Sequence, residues 1–197
     1  IRRQRQMCIE TAYGAGARDF AENRVQEAVA KQADLLDLTG ITWHLIGHLQ
    51  ANKAKKAVAC FDWLHSIDCL DLAERVDRHA AELDRQPQVC LQVKLASDPS
   101  KFGWAADRLW ADLPALDRLS HLDIRGLMVI APLGWSAAET QALFEQGRDL
   151  ARSIAAQPWQ RLRMDQLSMG MSNDWPLAVA AGATIVRIGR GIFGDRS

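Results

Sequence analysis

Short apolar runs alternate with longer stretches of helical periodicity along almost the whole chain. The runs Arg18–Glu22, Thr42–Gly47, Trp63–Ile67, Val89–Leu95, Arg125–Ile130, Gln166–Gly170 and Thr184–Gly189 predict seven strands. Several are nearly continuous, as in Leu127-Met-Val-Ile130 and Ile185-Val-Arg-Ile188, which is the pattern of strands covered on both faces. The stretches between them carry helix signals. Ser136-Ala-Ala-Glu139 has the spacing of a capping box, and behind it Leu143, Phe144, Gly147, Leu150, Ala151 and Ile154 recur on one helical face. Asp68 is the expected N-cap of a helix bearing Leu72, Ala73, Val76, Ala80 and Leu83. Ala51–Cys60 predicts a short helix with Lys53, Lys55 and Lys56 on a solvated face, and Trp175–Ala181 another. Arg85–Gln88 and Pro132–Gly134 read as loops.

Strand after helix after strand implies parallel pairing through right-handed crossovers. An open doubly wound sheet and a barrel both satisfy that rule. No GxGxxG follows an early strand, and the units repeat evenly to the end, so the expectation is an α/β fold of the (β/α)8 TIM-barrel type. The count is one strand short. The stretch Met7–Ala15 reads as a helix with no strand ahead of it, unlike the other helices. Strand one is therefore expected to be missing from this sequence, with the gap between Gln6 and Met7 or just before. Residues 1–197 are expected to form one barrel domain. A seam of unpaired backbone groups costs roughly 1–3 kcal/mol per group, against a total stability of about 5–15 kcal/mol. The intact protein is thus expected to possess strand one. A closed seven-stranded barrel is the alternative.

Composition narrows the function. The 197 residues hold 24 Lys+Arg and 24 Asp+Glu, so the net charge is zero, which argues against a nucleic-acid-binding protein. No run approaches the roughly 18 apolar residues of a membrane span, and no signal-peptide pattern follows Arg2, Arg3 and Arg5. Cys8, Cys60, Cys69 and Cys90 form no CxxC pair or disulfide framework and read as reduced thiols of a cytoplasmic protein. The partners expected are therefore small molecules, and the chain a monomer or weak dimer.

In such a barrel the active site lies at the C-terminal ends of the strands, with phosphate often bound after strands seven and eight. Two segments stand there. Ser168-Met-Gly-Met-Ser172 closes the seventh strand position, and Gly189-Arg-Gly191 closes the eighth. Small and hydroxyl residues let backbone N–H groups approach an anion. The candidates are the N–H groups of Met169–Ser172 and Gly189–Gly191, with Arg190 as an added charge; two tight turns without a ligand are the plainer reading. Arg187 alternates with Val186 and Ile188 and so points into the barrel, where a charge needs an ion-pair partner or a ligand. His65 and Ser66 end a strand near the mouth. His44 and His48 lack the helix and the Glu of an HExxH zinc site, since residue 45 is Leu. No pair of acidic residues suggests acid–base catalysis, and no metal is expected.

Several segments in order, Phe20-Ala-Glu-Asn-Arg-Val-Gln-Glu27, Trp43-His-Leu-Ile-Gly-His-Leu-Gln-Ala-Asn-Lys53, His65-Ser-Ile-Asp68, Ser100-Lys-Phe-Gly103, Arg125-Gly-Leu-Met128, Leu167-Ser-Met-Gly-Met-Ser172 and Val186-Arg-Ile-Gly189, resemble the pyridoxal phosphate homeostasis proteins. The resemblance implies a barrel like the N-terminal domain of alanine racemase, binding pyridoxal 5′-phosphate (PLP). It implies a role in buffering, carrying or delivering that cofactor without robust catalysis. The cofactor-binding residues it implies, taken with the turns above, are Asn23, His44, Ser66, Met128, Ser168, Gly170, Met171, Ser172, Arg187, Gly189, Arg190 and Gly191. The family's Schiff-base lysine belongs to strand one, in a segment of AVSKTKP type that this sequence lacks. None of Lys31, Lys53, Lys55, Lys56, Lys94 or Lys101 takes that role. Two departures stand out: Gly189-Arg-Gly191 where the family usually has Gly-Thr-Ala, and Val93-Lys94 where it commonly has Val-Asn. The rival functions are a barrel enzyme acting on a phosphorylated metabolite, a racemase-like PLP enzyme, and a degenerate barrel with no ligand.

Overall fold

The structure, a computed structural model, describes residues 2–96 and 102–194, with side chains from residue 7 onward. Seven strands form one parallel sheet in strictly sequential order. They are β1 (Asp19–Glu22), β2 (Thr42–Leu45), β3 (Trp63–Ile67), β4 (Gln88–Val93), β5 (Asp123–Val129), β6 (Gln166–Met171) and β7 (Ile185–Arg187). Each predicted strand is present, with ends shifted by a few residues. The helices are α1 (Arg2–Gly14), α2 (Val25–Asp34), α3 (Ala54–Cys60), α4 (Leu70–Glu82), α5 (Ala106–Leu116), α6 (Ala137–Ala155), α7 (Trp175–Ala180) and α8 (Arg190–Phe193), and a 3-10 turn, Ala51–Lys53, leads into α3. Sequential order with a helix at every crossover is the barrel arrangement, since a doubly wound sheet reverses its strand order midway.

Among the described residues the sheet does not close. β1 pairs with β2 and β7 with β6, and these two strands are the edges. On β1, Phe20 and Glu22 are buried toward the helices while Asp19 and Ala21, on the opposite face, are exposed. The seven strands thus form a near-closed parallel barrel. The expected gap between Gln6 and Met7 is not there: α1 runs unbroken from Arg2 to Gly14.

Two layers of side chains follow from strand alternation. The outer layer is apolar. Leu45, Leu64, Val89, Leu91, Leu127 and Val129 meet helix residues such as Val58, Val76, Leu109 and Phe144. The inner layer has a small apolar plug of Trp63, Cys90 and Met128, with Ile130 and Ile185 against it. Below the plug, Arg125 donates to both carboxylate oxygens of Asp165 (3.0 and 2.5 Å) and lies 5.8 Å above the Trp63 ring. His44, His65, Ser168 and Arg187 lie above this floor.

The capping box of α6 forms as predicted: Ser136 Oγ accepts from Glu139 N–H, and the Glu139 carboxylate accepts from Ser136 N–H. The expected Asp68 cap does not. Cys69 occupies the N-cap position of α4 without a side-chain cap bond, and Asp68 instead pairs with His48 at 3.1 Å. The chain is extended at Cys69, so the helix starts one residue late and the carboxylate is turned to the β2 loop.

Gly126 shows how tightly the sheet is drawn together. A Cβ there would stand 1.7 Å from the Gln166 carbonyl oxygen on β6. Gly126→Ala is expected to cost about 3 kcal/mol or more, because backbone rather than a flexible side chain must move. Gly14→Ala, with nothing within 4 Å, is expected to stay within about 0.5 kcal/mol of the parent. Urea unfolding of the two variants checks the contrast.

Candidate functional site

The C-terminal ends of β1, β2 and β3 are stacked against one another by backbone contacts. Gly47 follows β2, and a Cβ on it would lie 2.2 Å from the Asn23 carbonyl oxygen, so only glycine lets these loops meet. The Ser66 hydroxyl donates to the Gly47 carbonyl at 2.5 Å. Asn23 is exposed on this rim and Ser66 is buried beneath it.

Across the mouth, the two predicted turns are joined by one oxygen. Ser172 Oγ accepts from the backbone N–H groups of Gly189 (3.3 Å) and Gly191 (3.4 Å). Gly170 has φ of 89°, and a Cβ would meet Ala178 at 2.5 Å, so the β6 turn packs directly on α7. The Met171 N–H donates to the Asp174 carboxylate at 2.5 Å and is thereby engaged within its own turn. Arg190 is exposed at the rim. Lys94 lies just beyond β4, half-buried, lining a small recess with Gln92, Phe102 and Ile130. In the Ser100–Gly103 segment, residues 100 and 101 are outside the described residues.

Arg187 points into the barrel, as alternation predicted, and is 9% exposed. Its Nη1 donates to Ser168 Oγ (2.7 Å) and its Nη2 to the Val129 carbonyl (2.9 Å). Among the described residues no carboxylate forms a salt bridge with it. The ion-pair reading of this residue is therefore replaced by a guanidinium solvated by a hydroxyl and a carbonyl. Burial lowers its pKa to about 10, which leaves it charged at neutral pH.

From Ser168 the polar contacts continue across the interior. Ser168 Oγ is 2.7 Å from His65 Nδ1, His65 Nε2 is 2.9 Å from His44 Nδ1, and His44 Nε2 is 3.1 Å from Asp19 Oδ1. The His44 ring stacks on Trp63 at 5.7 Å between centroids. Met128 lies below, in the apolar plug rather than at the mouth. Burial, then the neighbouring His44 and Arg187, hold His65 well below its ordinary pKa. Burial also lowers that of His44, outweighing the raising effect of Asp19. Burial pushes the Cys90 thiol up to about 12, so it is no thiolate at neutral pH.

The sequence brought most of these groups to one end of the barrel but missed the line joining them. The pattern places His65 only near the mouth and gives no sign of Asp19. The one available signal was that Trp63 and His65 share a strand face.

Depressed histidine pKa values make stability depend on pH in a definite direction. The unfolded chain protonates these rings near 6.5 while the native state does not, so the unfolded state binds more protons below that pH. Stability contributed by the neutral pair is complete above pH 6.5 and falls as pH drops toward the native values, by about 1.4 kcal/mol per pH unit for each ring. His65→Gln is expected to lower stability at pH 7 and to flatten the decline from pH 6.5 to 5 by about one ring's share. Urea midpoints at several pH values measure this; an equal slope in both proteins would contradict it.

Known proteins match this geometry. The family described as alanine racemase, N-terminal domain, matches residues 6–197. The pyridoxal phosphate homeostasis protein of Synechocystis sp. is 50% identical over 188 residues, covering 95% of this chain and 85% of that protein. Its counterpart from Escherichia coli K12 is 41% identical over 192 residues, covering 95% and 80%. Among solved structures, PipY of Synechococcus elongatus PCC7942, with PLP bound, superposes with a TM-score of 0.92 at 59% identity, covering 96% of this chain and 87% of that one. Alanine racemase of Clostridium difficile, at 13% identity and a TM-score of 0.73 over 93% of this chain and 49% of its own, shares the fold. The family match over residues 6–197 and relatives 41–50% identical over 95% of the chain place it: this chain belongs to the alanine racemase N-terminal-domain family and, within it, to the pyridoxal phosphate homeostasis proteins.

Proposed function

We propose that this protein binds pyridoxal 5′-phosphate in the barrel mouth and serves to buffer, carry or deliver it. The observation that carries the reading is the pair of backbone N–H groups, from Gly189 and Gly191, converging on Ser172 Oγ in the turn that follows the inward Arg187. Two N–H groups that meet on one oxygen are also placed to meet a phosphate oxygen, and the Ser172 hydroxyl adds a third polar group. PipY, 59% identical, is known with PLP bound, and the curated relatives are named for PLP homeostasis.

The residues present fit the cofactor at both ends. Ser172 with the Gly189 and Gly191 N–H groups would hold the phosphate, and Arg190 stands exposed beside them. Arg187 would face the ring nitrogen, Asn23 and Ser66 would border the mouth, Ser168 would back the guanidinium, and His44 would act at a remove through His65. Met128 would floor the site from the plug, while Gly170 and Met171 shape the turn that holds Ser172. When bound, PLP supplies an aldehyde and an electron-withdrawing ring. A guanidinium can only donate hydrogen bonds, so it meets an unprotonated ring nitrogen and disfavours the protonated ring that is the stronger electron sink. That favours holding the cofactor over transforming a substrate on it. In this reading the protein works in the cytoplasm as a monomer or weak dimer, and Cys8, Cys60, Cys69 and Cys90 are all free.

Ser172→Asp places a carboxylate against the phosphate position. It is expected to weaken PLP binding at least about tenfold, or roughly 1.4 kcal/mol, in calorimetric titration. Affinity for pyridoxal, which lacks the phosphate, is expected to change much less. An unchanged PLP affinity would remove these turns from the site. If the parent binds a phosphorylated metabolite and not PLP, the rival reading of a phosphometabolite enzyme takes its place.

A further inference from the structure

The contacts from Arg187 to Asp19 run in one direction, and chemistry dictates which. A carboxylate only accepts, so at the Asp19 end His44 Nε2 carries the proton. His44 is held neutral by burial, so its Nδ1 is a bare lone pair and accepts from His65 Nε2–H. His65 is neutral for the same reason, so its Nδ1 accepts from the Ser168 hydroxyl. Ser168 Oγ in turn accepts from Arg187 Nη1. Every donor and every lone pair on the imidazoles is then used once.

The arginine end alone does not set this order. A serine oxygen has two lone pairs and would also take Nδ1–H from His65 while accepting from Arg187. The anchor is the carboxylate at the far end, which forces one tautomer on His44 and, through it, one on His65. Resting on the reading that Arg187 faces the ligand ring, we propose that Asp19, His44, His65 and Ser168 form a one-way hydrogen-bond relay that positions Arg187, with Asp19 as the residue that fixes its direction. Asp19 is a positioning residue: its side chain is 73% exposed and it is separated from Arg187 by three intervening side chains. The relay also leaves Arg187 as the one cation on this line, since neither ring has a free lone pair for a proton.

Nitrogen-15 spectra of the histidine side chains at pH 7 test this directly, without any ligand. In the parent, His44 and His65 are expected to be neutral with the proton on Nε2. Asp19→Ala removes only an exposed carboxylate, so the variant is expected to fold, and His65 should become a mixture of the two tautomers. A parent His65 protonated on Nδ1, or tautomers unchanged in Asp19→Ala, overturns the relay. A second measurement compares ligands on the same variant. PLP affinity is expected to fall by about tenfold, the worth of one hydrogen bond to a charged group, while affinity for inorganic phosphate stays at the parent value. Shifted tautomers with unchanged PLP affinity would overturn the positioning role and leave the proposed function standing. A parent that fails to bind PLP would end that function while the spectra still decide the relay.

Discussion

A guanidinium enclosed inside a parallel sheet must be solvated by the protein, since leaving a buried charge bare costs far more than a fold can spare. Arg187 meets that demand without an anion. It spends one nitrogen on the Val129 carbonyl and another on the Ser168 hydroxyl. Val129 supplies a main-chain acceptor from β5, and Ser168 comes from β6, so the charge also ties three adjacent strands together at their C-terminal ends. Because no carboxylate among the described residues forms a salt bridge with it, its field remains available to whatever enters the mouth.

The division into layers makes this possible. The outward faces of the strands are almost wholly apolar and are sealed by helices, so burial there drives folding with no help from the interior. The inward faces are free to be polar above the floor of Trp63, Cys90 and Met128. At the bottom, Arg125 and Asp165 form an ion pair beneath that floor. Polar function is thus confined to the mouth, where loops after successive strands can approach one another, as Asn23 and Gly47 do at a distance that forbids a side chain.

Much of this was legible in the sequence, and the reasons differ by residue. The strands announced themselves because strands covered on both faces must be apolar, and Arg187 showed its inward direction because a charge interrupted such a run. The capping box at Ser136 is a local device, and the local pattern specifies it. The same local rule misplaces the α4 cap at Asp68, because a competing partner, His48, lies on another strand's loop and local pattern carries no trace of it. The relay was hidden for the same reason. His65 and Ser168 are 103 positions apart, and His44 and Asp19 are 25 apart, so their contacts exist only once the barrel sets the register. On β3 even the facing of His65 was obscured, since all five strand residues are buried and no polar alternation marks a side. The sequence did carry the departures at Lys94 and Arg190. Lys94 is half-buried in a recess beside the mouth and Arg190 is exposed at its rim, so neither adds a charge to the deep interior where Arg187 lies.

The same hydrogen-bond accounting bears on what the site can do. General acid–base catalysis needs a group with a lone pair or proton to lend within reach of the reacting atom. Both interior imidazoles have each nitrogen engaged, the Cys90 thiol is held protonated, and Arg187 can only donate. Lending a proton from this set would break a hydrogen bond in the line that ends at Arg187. On the proposed reading, a site whose polar groups are committed to one another, and whose Gly189 and Gly191 N–H groups converge on Ser172 at the rim, would hold a phosphorylated, nitrogen-containing ring in one orientation. Releasing it would then break contacts at the mouth without disturbing the imidazoles behind Arg187, which is the property a carrier of a reactive cofactor needs.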